Sequence, residues 1–176
     1  MRLAACAIAL LPTMAFAVGS GSDEAPKPSE TVENCDEGLV FDIATQTCMT
    51  AEESTNDDTA MMNDVRSLSH AGRHDDALAI LALMPDQADD LVLTYLGFNH
   101  RKAGNIELGM AFYQQALAVN PDNILARSYM GQALAERDNM YAAMTQLSEI
   151  QQRGGRGTWA ERALLTAIST GKGYSY

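Results

Sequence analysis

The chain has 176 residues, of which 47% are hydrophobic, 20% charged and 6% aromatic, with a formal net charge of −11. That length suits one domain, or one domain with an appendage, and few aromatics beside plentiful Ala, Leu and Met favour helix over sheet. The negative balance excludes a broad nucleic-acid-binding surface, because affinity for phosphate needs an excess of Lys and Arg.

The first segment is MRLAACAIALLPTMAFA. Arg2 supplies a short positive start, residues 3–11 an apolar stretch, and Ala15-Phe16-Ala17 a small-x-small cleavage site. This order of regions predicts a secretory signal over residues 1–17, cut after Ala17, and an exported, periplasmic protein. Beyond it no apolar run approaches the roughly 18 residues of a membrane helix, so no integral span is expected after cleavage. Leu3-Ala4-Ala5-Cys6 resembles the box at which bacterial lipoproteins are lipidated. Here the box precedes the apolar stretch instead of following it, so Cys6 is read as lost with the signal and not as a lipid anchor.

Residues 18–64 carry twelve acids and one base, Lys27, whereas residues 65–176 carry eleven acids and ten bases. Nearly all the net charge therefore lies in an N-terminal arm, residues 18–57. Its Ser, Pro and acid content predicts a flexible linker, because too little apolar surface is available to offset the entropy of ordering. Within it stand Cys35 and Cys48, an even pair in an exported chain, which predicts one disulfide closing loop 35–48. Leu39-Val40-Phe41 followed by turn formers predicts a small hairpin inside the loop. The spacing Cys35-x-x-Gly38-x-x-Phe41-Asp42…Cys48 resembles short modules of exported proteins, some of which bind polysaccharide. A second reading of the chain follows from that resemblance, an envelope polysaccharide- or peptidoglycan-associated protein that uses the disulfide loop.

From Asp90 the chain reads DLVLTYLGFNHRKAGNIELGMAFYQQALAVNPDN, and a second stretch of the same length starts at Ile124. Leu96-Gly97 corresponds to Met130-Gly131, Gly109 to Ala143, and Ala116 to Ile150. Glycine or alanine at these places lets two helices approach closely, Gly104-Asn105 makes the turn between them, and Pro121 ends the second helix. In the second stretch Arg137-Asp138-Asn139 replaces the glycine turn, with Asn139 expected in the left-handed conformation. An earlier stretch with Gly72 as turn and Ala77 as small residue precedes them by 32 residues. The segment TWAERALLTAIST follows, with Trp159, Leu164, Leu165 and Ile168 as its expected inner residues.

This pattern resembles the tetratricopeptide (TPR) repeat, a helix–turn–helix unit of about 34 residues. The resemblance covers residues 58–170. It implies an all-α helical-hairpin solenoid of about three repeats plus a C-terminal capping helix, preceded by the disordered arm. Residues 171–176, GKGYSY, are expected to be a loose tail.

The resemblance also implies a non-enzymatic adaptor or scaffold that binds a peptide or protein of the cell envelope on its concave helix surface. Carried over position by position, that groove would present Arg66, Thr94, Phe98, Arg101, Lys102, Ser128 and Gln132. A homo-oligomer is compatible with the same surface. Some members of the family hold a C-terminal carboxylate through a Lys/Asn clamp. Phe98 and Gln132 stand here where two clamp Asn residues would, so the resemblance does not extend to that clamp. No phosphate loop, GxSxG or HExxH motif is present, and no catalytic residue, metal or cofactor is expected. His70 and His74 have metal-ligand spacing for one helix face, but Gly72 breaks that face.

Overall fold

A computed structural model describes residues 26–174. The expected signal sequence, residues 18–25 of the arm and residues 175–176 lie outside the described residues. The described chain runs α1 (Glu30–Asn34), β1 (Val40–Asp42), β2 (Thr47–Met49), α2 (Asp58–His70), α3 (His74–Leu83), α4 (Asp90–Lys102), α5 (Ile106–Val119), α6 (Ile124–Glu136), α7 (Met140–Gln152) and α8 (Trp159–Thr170). It is mostly helical, as expected.

The helices α2, α4 and α6 start at positions 58, 90 and 124, and α3, α5 and α7 at 74, 106 and 140. Both series advance by 32 and then 34 residues. The starts of α2, α4, α6 and α8 share one chemistry, whereas α3 and α5 begin without a side-chain cap. Asp57 accepts from the Ala60 N–H, Asp89 from Leu91 and Val92, Asn123 from Ala126, and Thr158 from Glu161. Each cap satisfies backbone donors that the first helical turn leaves open. The turns inside the pairs use positive φ at Gly72 (82°) and Gly104 (94°). In the third pair Asp138, at φ 59°, takes that place, one residue before the expected Asn139. Asn139 instead caps α7 by accepting from Ala142 N–H, and a side chain cannot cap from the left-handed position as well.

Successive helices pack on one another, and α2, α4, α6 and α8 also touch in turn along one side. The tightest crossing joins α4 to α5 through Gly97 and Gly109, where a Cβ on Gly109 would stand 2.6 Å from the Gly97 carbonyl oxygen. The main core collects Val65, Leu68, Ile80, Leu81, Tyr95, Phe98, Tyr113, Leu125, Tyr129 and Trp159. Trp159 and Leu164 are inner residues of α8 as expected, whereas Leu165 is 44% exposed.

The arm is not a free linker where it is described. Val40 belongs to the main core, and Val32 and Ala51 pack against it. The hairpin forms, antiparallel, with Phe41 paired to Cys48, and the Cys35–Cys48 disulfide closes it. Polar side chains then fasten it to the helices. The Arg73 guanidinium donates to the carbonyls of Thr31, Cys35, Asp36 and Leu39 at 2.8–3.3 Å. Ser29 donates its N–H to Ser67 Oγ and its hydroxyl to the buried Asp64. Within the arm itself, the Asp42 carboxylate accepts five hydrogen bonds, from Thr45 N–H and Oγ, Ser54 Oγ, and Thr55 N–H and Oγ, and so holds the hairpin to the segment that leads into α2. The Thr55 and Thr45 N–H groups hold that carboxyl far below the usual range. A count of apolar residues misses this docking because hydrogen bonds and an ion supply much of it.

Candidate functional site

Each of the four helices that touch in turn contributes one ring to a common cluster: His70 from α2, Phe98 from α4, Tyr129 from α6 and Trp159 from α8. The His70 and Phe98 ring centroids are 4.9 Å apart, Phe98 and Tyr129 4.7 Å, and Tyr129 and Trp159 6.1 Å. His70 reaches across to Trp159 at 5.9 Å, edge to face, so α2 and α8 close on the same centre. The inner side is therefore filled with rings, a consequence of placing a bulky aromatic at one inward position of every alternate helix.

His70 is 4% exposed and shares a 2.9 Å hydrogen bond between Nε2 and the Tyr129 hydroxyl. Burial, then the cations Arg66 and Lys102, push its pKa down from 6.5 to about 3, so it is a neutral ring near pH 7. Beside it Asn99 joins two helix pairs. Its amide donates to Ser69 Oγ at 2.8 Å and to the Tyr95 carbonyl, and its Oδ1 meets His74 Nδ1 at 3.0 Å. The two histidines thus serve separate partners on either side of the Gly72 turn. Among the described residues no group of three or more His, Cys, Asp or Glu stands close enough to hold a metal ion.

The expected groove residues lie around this cluster, but most are buried and do not form an open face. Thr94 is fully buried; its hydroxyl donates to the Asp90 carbonyl and accepts from Asn123. Phe98 is a core ring. Ser128 donates to the Ala160 carbonyl at 2.7 Å and accepts from Gln132 Nε2 at 3.1 Å. Arg101 donates to Glu136 at 2.5 Å, and its guanidinium lies 5.5 Å from the Phe98 ring centre. Lys102 reaches the other Glu136 oxygen at 3.5 Å. Arg66, half-buried, stands one turn before His70 on α2. Most of the expected contacts are thus buried positions, satisfied by neighbours inside the fold such as Asp90, Asn123, Ala160 and Glu136.

Two side-chain oxygens at the edge of the cluster face a partner. Gln132 Oε1 accepts the backbone N–H of Tyr174 at 2.9 Å, and Glu136 Oε1 accepts that of Gly173 at 3.0 Å. Burial pushes the Glu136 carboxyl up, but Arg101, Lys102 and the Gly173 N–H together hold it below its ordinary value, so it is an anion. The Tyr174 ring stands edge-on to Trp159 at 5.2 Å and to His70 at 5.6 Å. Residues 171–174 are therefore docked and not loose. Gly171, at φ 70°, ends α8 and turns the chain back toward α6.

Sequence reasoning did not pick out Glu136, Asn99, Tyr129 or Tyr174. One signal was present, since Tyr95 and Tyr129 recur at the 34-residue period. Nothing local marks Glu136 or Tyr174, whose partners are 35 and 42 residues away.

Elsewhere, a cleft of about 540 Å³ lies between the arm and α2, lined by Glu30, Phe41, Ile43, Asp57 and Asp64 among others. No described helix is long and apolar enough to cross a membrane. Comparison of the chain with protein-family models, curated proteins and solved structures gives no match.

Proposed function

We propose that the chain is an exported, TPR-type helical-hairpin array that acts as a non-enzymatic adaptor, taking a peptide or a protein segment of the cell envelope at the edge of its inner ring cluster, where α6 meets α8. The helix starts recurring at 32 and 34 residues, with α2, α4, α6 and α8 touching in turn, support the repeat reading. The observation that carries the binding reading is a stretch of backbone already seated there, its N–H groups taken by Gln132 and Glu136. Side-chain acceptors aimed at main-chain donors recognise a polypeptide with little regard for its sequence, while a ring pocket adds selectivity. The arm, fastened through Arg73 and Ser29, covers one end of the array as a disulfide-stapled cap.

The test is selection of a random peptide library on the oxidised full chain, followed by amide-shift mapping of an enriched peptide. A shared consensus that perturbs α4, α6 and α8 is expected. Absence of any consensus, or shifts confined to residues 35–57, would sink the adaptor reading.

A further inference from the structure

The seat of Tyr174 has the features of a ligand site. Its two acceptors are oriented before any ligand arrives. Gln132 Nε2 is tied to Ser128 Oγ, which is itself tied to the Ala160 carbonyl, so Oε1 is left facing outward. Glu136 is braced by Arg101 and Lys102. The acceptors are one helical turn apart on α6 and take consecutive N–H groups, those of Gly173 and Tyr174. A Cβ at position 173 would overlap Glu136 Oε1 and come within 3.3 Å of Gln132 Oε1. Because Arg101 and Lys102 restrain that carboxylate, the place before the aromatic residue selects glycine. The next place selects a ring, since Trp159 and His70 present a corner for edge-on contact.

We infer that this corner is a recognition site for a Gly–aromatic pair in a segment of another polypeptide, and that residues 173–174 occupy it in cis as a competing, built-in ligand. This rests on the adaptor reading above and names its ligand chemistry. The segment is held by two backbone hydrogen bonds and one ring, and both residues remain half-exposed. A partner that carries the same pair and makes further contacts on the exposed surface beside it displaces it. A short tether gives the cis segment an effective concentration on the order of millimolar, so weak partners are excluded.

The test uses the full chain and its Tyr174→Ala variant, with a fluorescein-labelled peptide GKGYSY as probe. Trp159, the only tryptophan of the chain, gives a second readout, because Tyr174 lies against it. Expected results are at least a ten-fold tighter binding of the probe by Tyr174→Ala than by the parent, and recovery of the parent Trp159 emission on saturation. A probe with Ala at the third position should bind at least ten-fold more weakly. Far-UV circular dichroism and a cooperative thermal transition establish that the variant is folded; if it is not, Tyr174→Leu, which keeps the bulk without the polar ring, takes its place. Equal binding by parent and variant, no binding by either, or indifference to the Gly→Ala change would overturn the inference. A variant that ignores the probe yet enriches an unrelated library consensus on α4, α6 and α8 leaves the adaptor reading standing and removes this one.

Discussion

Replacing Gly109 by Ala tests whether the α4–α5 crossing is set by backbone contact. A Cβ there would lie 2.6 Å from Gly97 O, 2.8 Å from Arg101 Cβ and 2.9 Å from Arg101 N. Two of these are backbone atoms of α4, which cannot rotate away. Restoring ordinary van der Waals separation requires the helices to part by roughly 0.7 Å at this point. Such overpacking costs about 3 kcal/mol, against about 1 kcal/mol gained from the higher helix propensity of Ala, leaving a net loss of about 2 kcal/mol. For a chain of this size that corresponds to a fall of about 4–8 °C in Tm. Gly131→Ala is the control. Its Cβ would meet the Leu164 methyls at 2.8 Å, the rotatable end of a side chain, and the fixed Gln146 Cβ only at 3.2 Å, so strain and propensity should offset to within about 1 kcal/mol. Urea and thermal unfolding of the oxidised chain, followed by far-UV circular dichroism, measure both. If Gly109→Ala matches the parent within experimental error, or if Gly131→Ala proves the more costly, the backbone argument is wrong.

Other outcomes follow from the buried polar groups. His70 has a folded pKa near 3 against 6.5 unfolded, so its neutral form contributes full stability above pH 6.5, and that contribution is lost as pH falls from 6.5 toward 3. The slope from this group approaches about 1.4 kcal/mol per pH unit, and His70→Gln should flatten it in urea midpoints taken between pH 4 and 7; an unchanged slope would show that other groups set the decline. Arg73→Met removes the donors to four arm carbonyls and should raise local opening of residues 30–49 by about 2–3 kcal/mol equivalents in hydrogen exchange, with α6–α8 unaffected. Protection of the hairpin identical to the parent would refute its role as the fastener. Cys35→Ser/Cys48→Ser opens a 14-residue loop and should cost about 3 kcal/mol in the same local measurement, again sparing the later helices. Asn99→Leu takes the donor from the buried Ser69 Oγ, leaves the Tyr95 carbonyl with one bond fewer and removes the partner of the half-buried His74, and should lower global stability by about 1–3 kcal/mol, a value that calorimetry or urea titration can contradict directly.

Much of the helical layout is legible from local pattern. Small residues at Gly97, Gly109, Gly131 and Ala143 mark close crossings, and Gly72 and Gly104 mark turns, because each depends on backbone conformation or spacing within a few residues. The disulfide is legible too, since only two cysteines follow the expected signal. The site is legible only as positions. Thr94, Phe98, Arg101, Ser128 and Gln132 do lie on inward-facing stretches, but their neighbours are set by how far the helices curl together. His70 meets Tyr129 across 59 residues and Trp159 across a still longer separation, distances on which periodicity is silent.

The arm and the segment after α8 show the same division. Composition alone made both flexible, because apolar content is what a sequence count can weigh. Arg73 reaches four carbonyls 34 to 42 residues earlier in the chain, and Glu136 and Gln132 reach N–H groups 37 and 42 residues later. From the order of its residues alone, this protein has its helix boundaries, turns, caps and covalent staple, since those are local or combinatorially unique. Tertiary structure alone decided that the arm docks, that the inner side fills with rings, and that Tyr174 sits on Trp159. Those outcomes depend on polar groups finding partners far away in the chain, and only the folded geometry brings such groups within hydrogen-bonding reach.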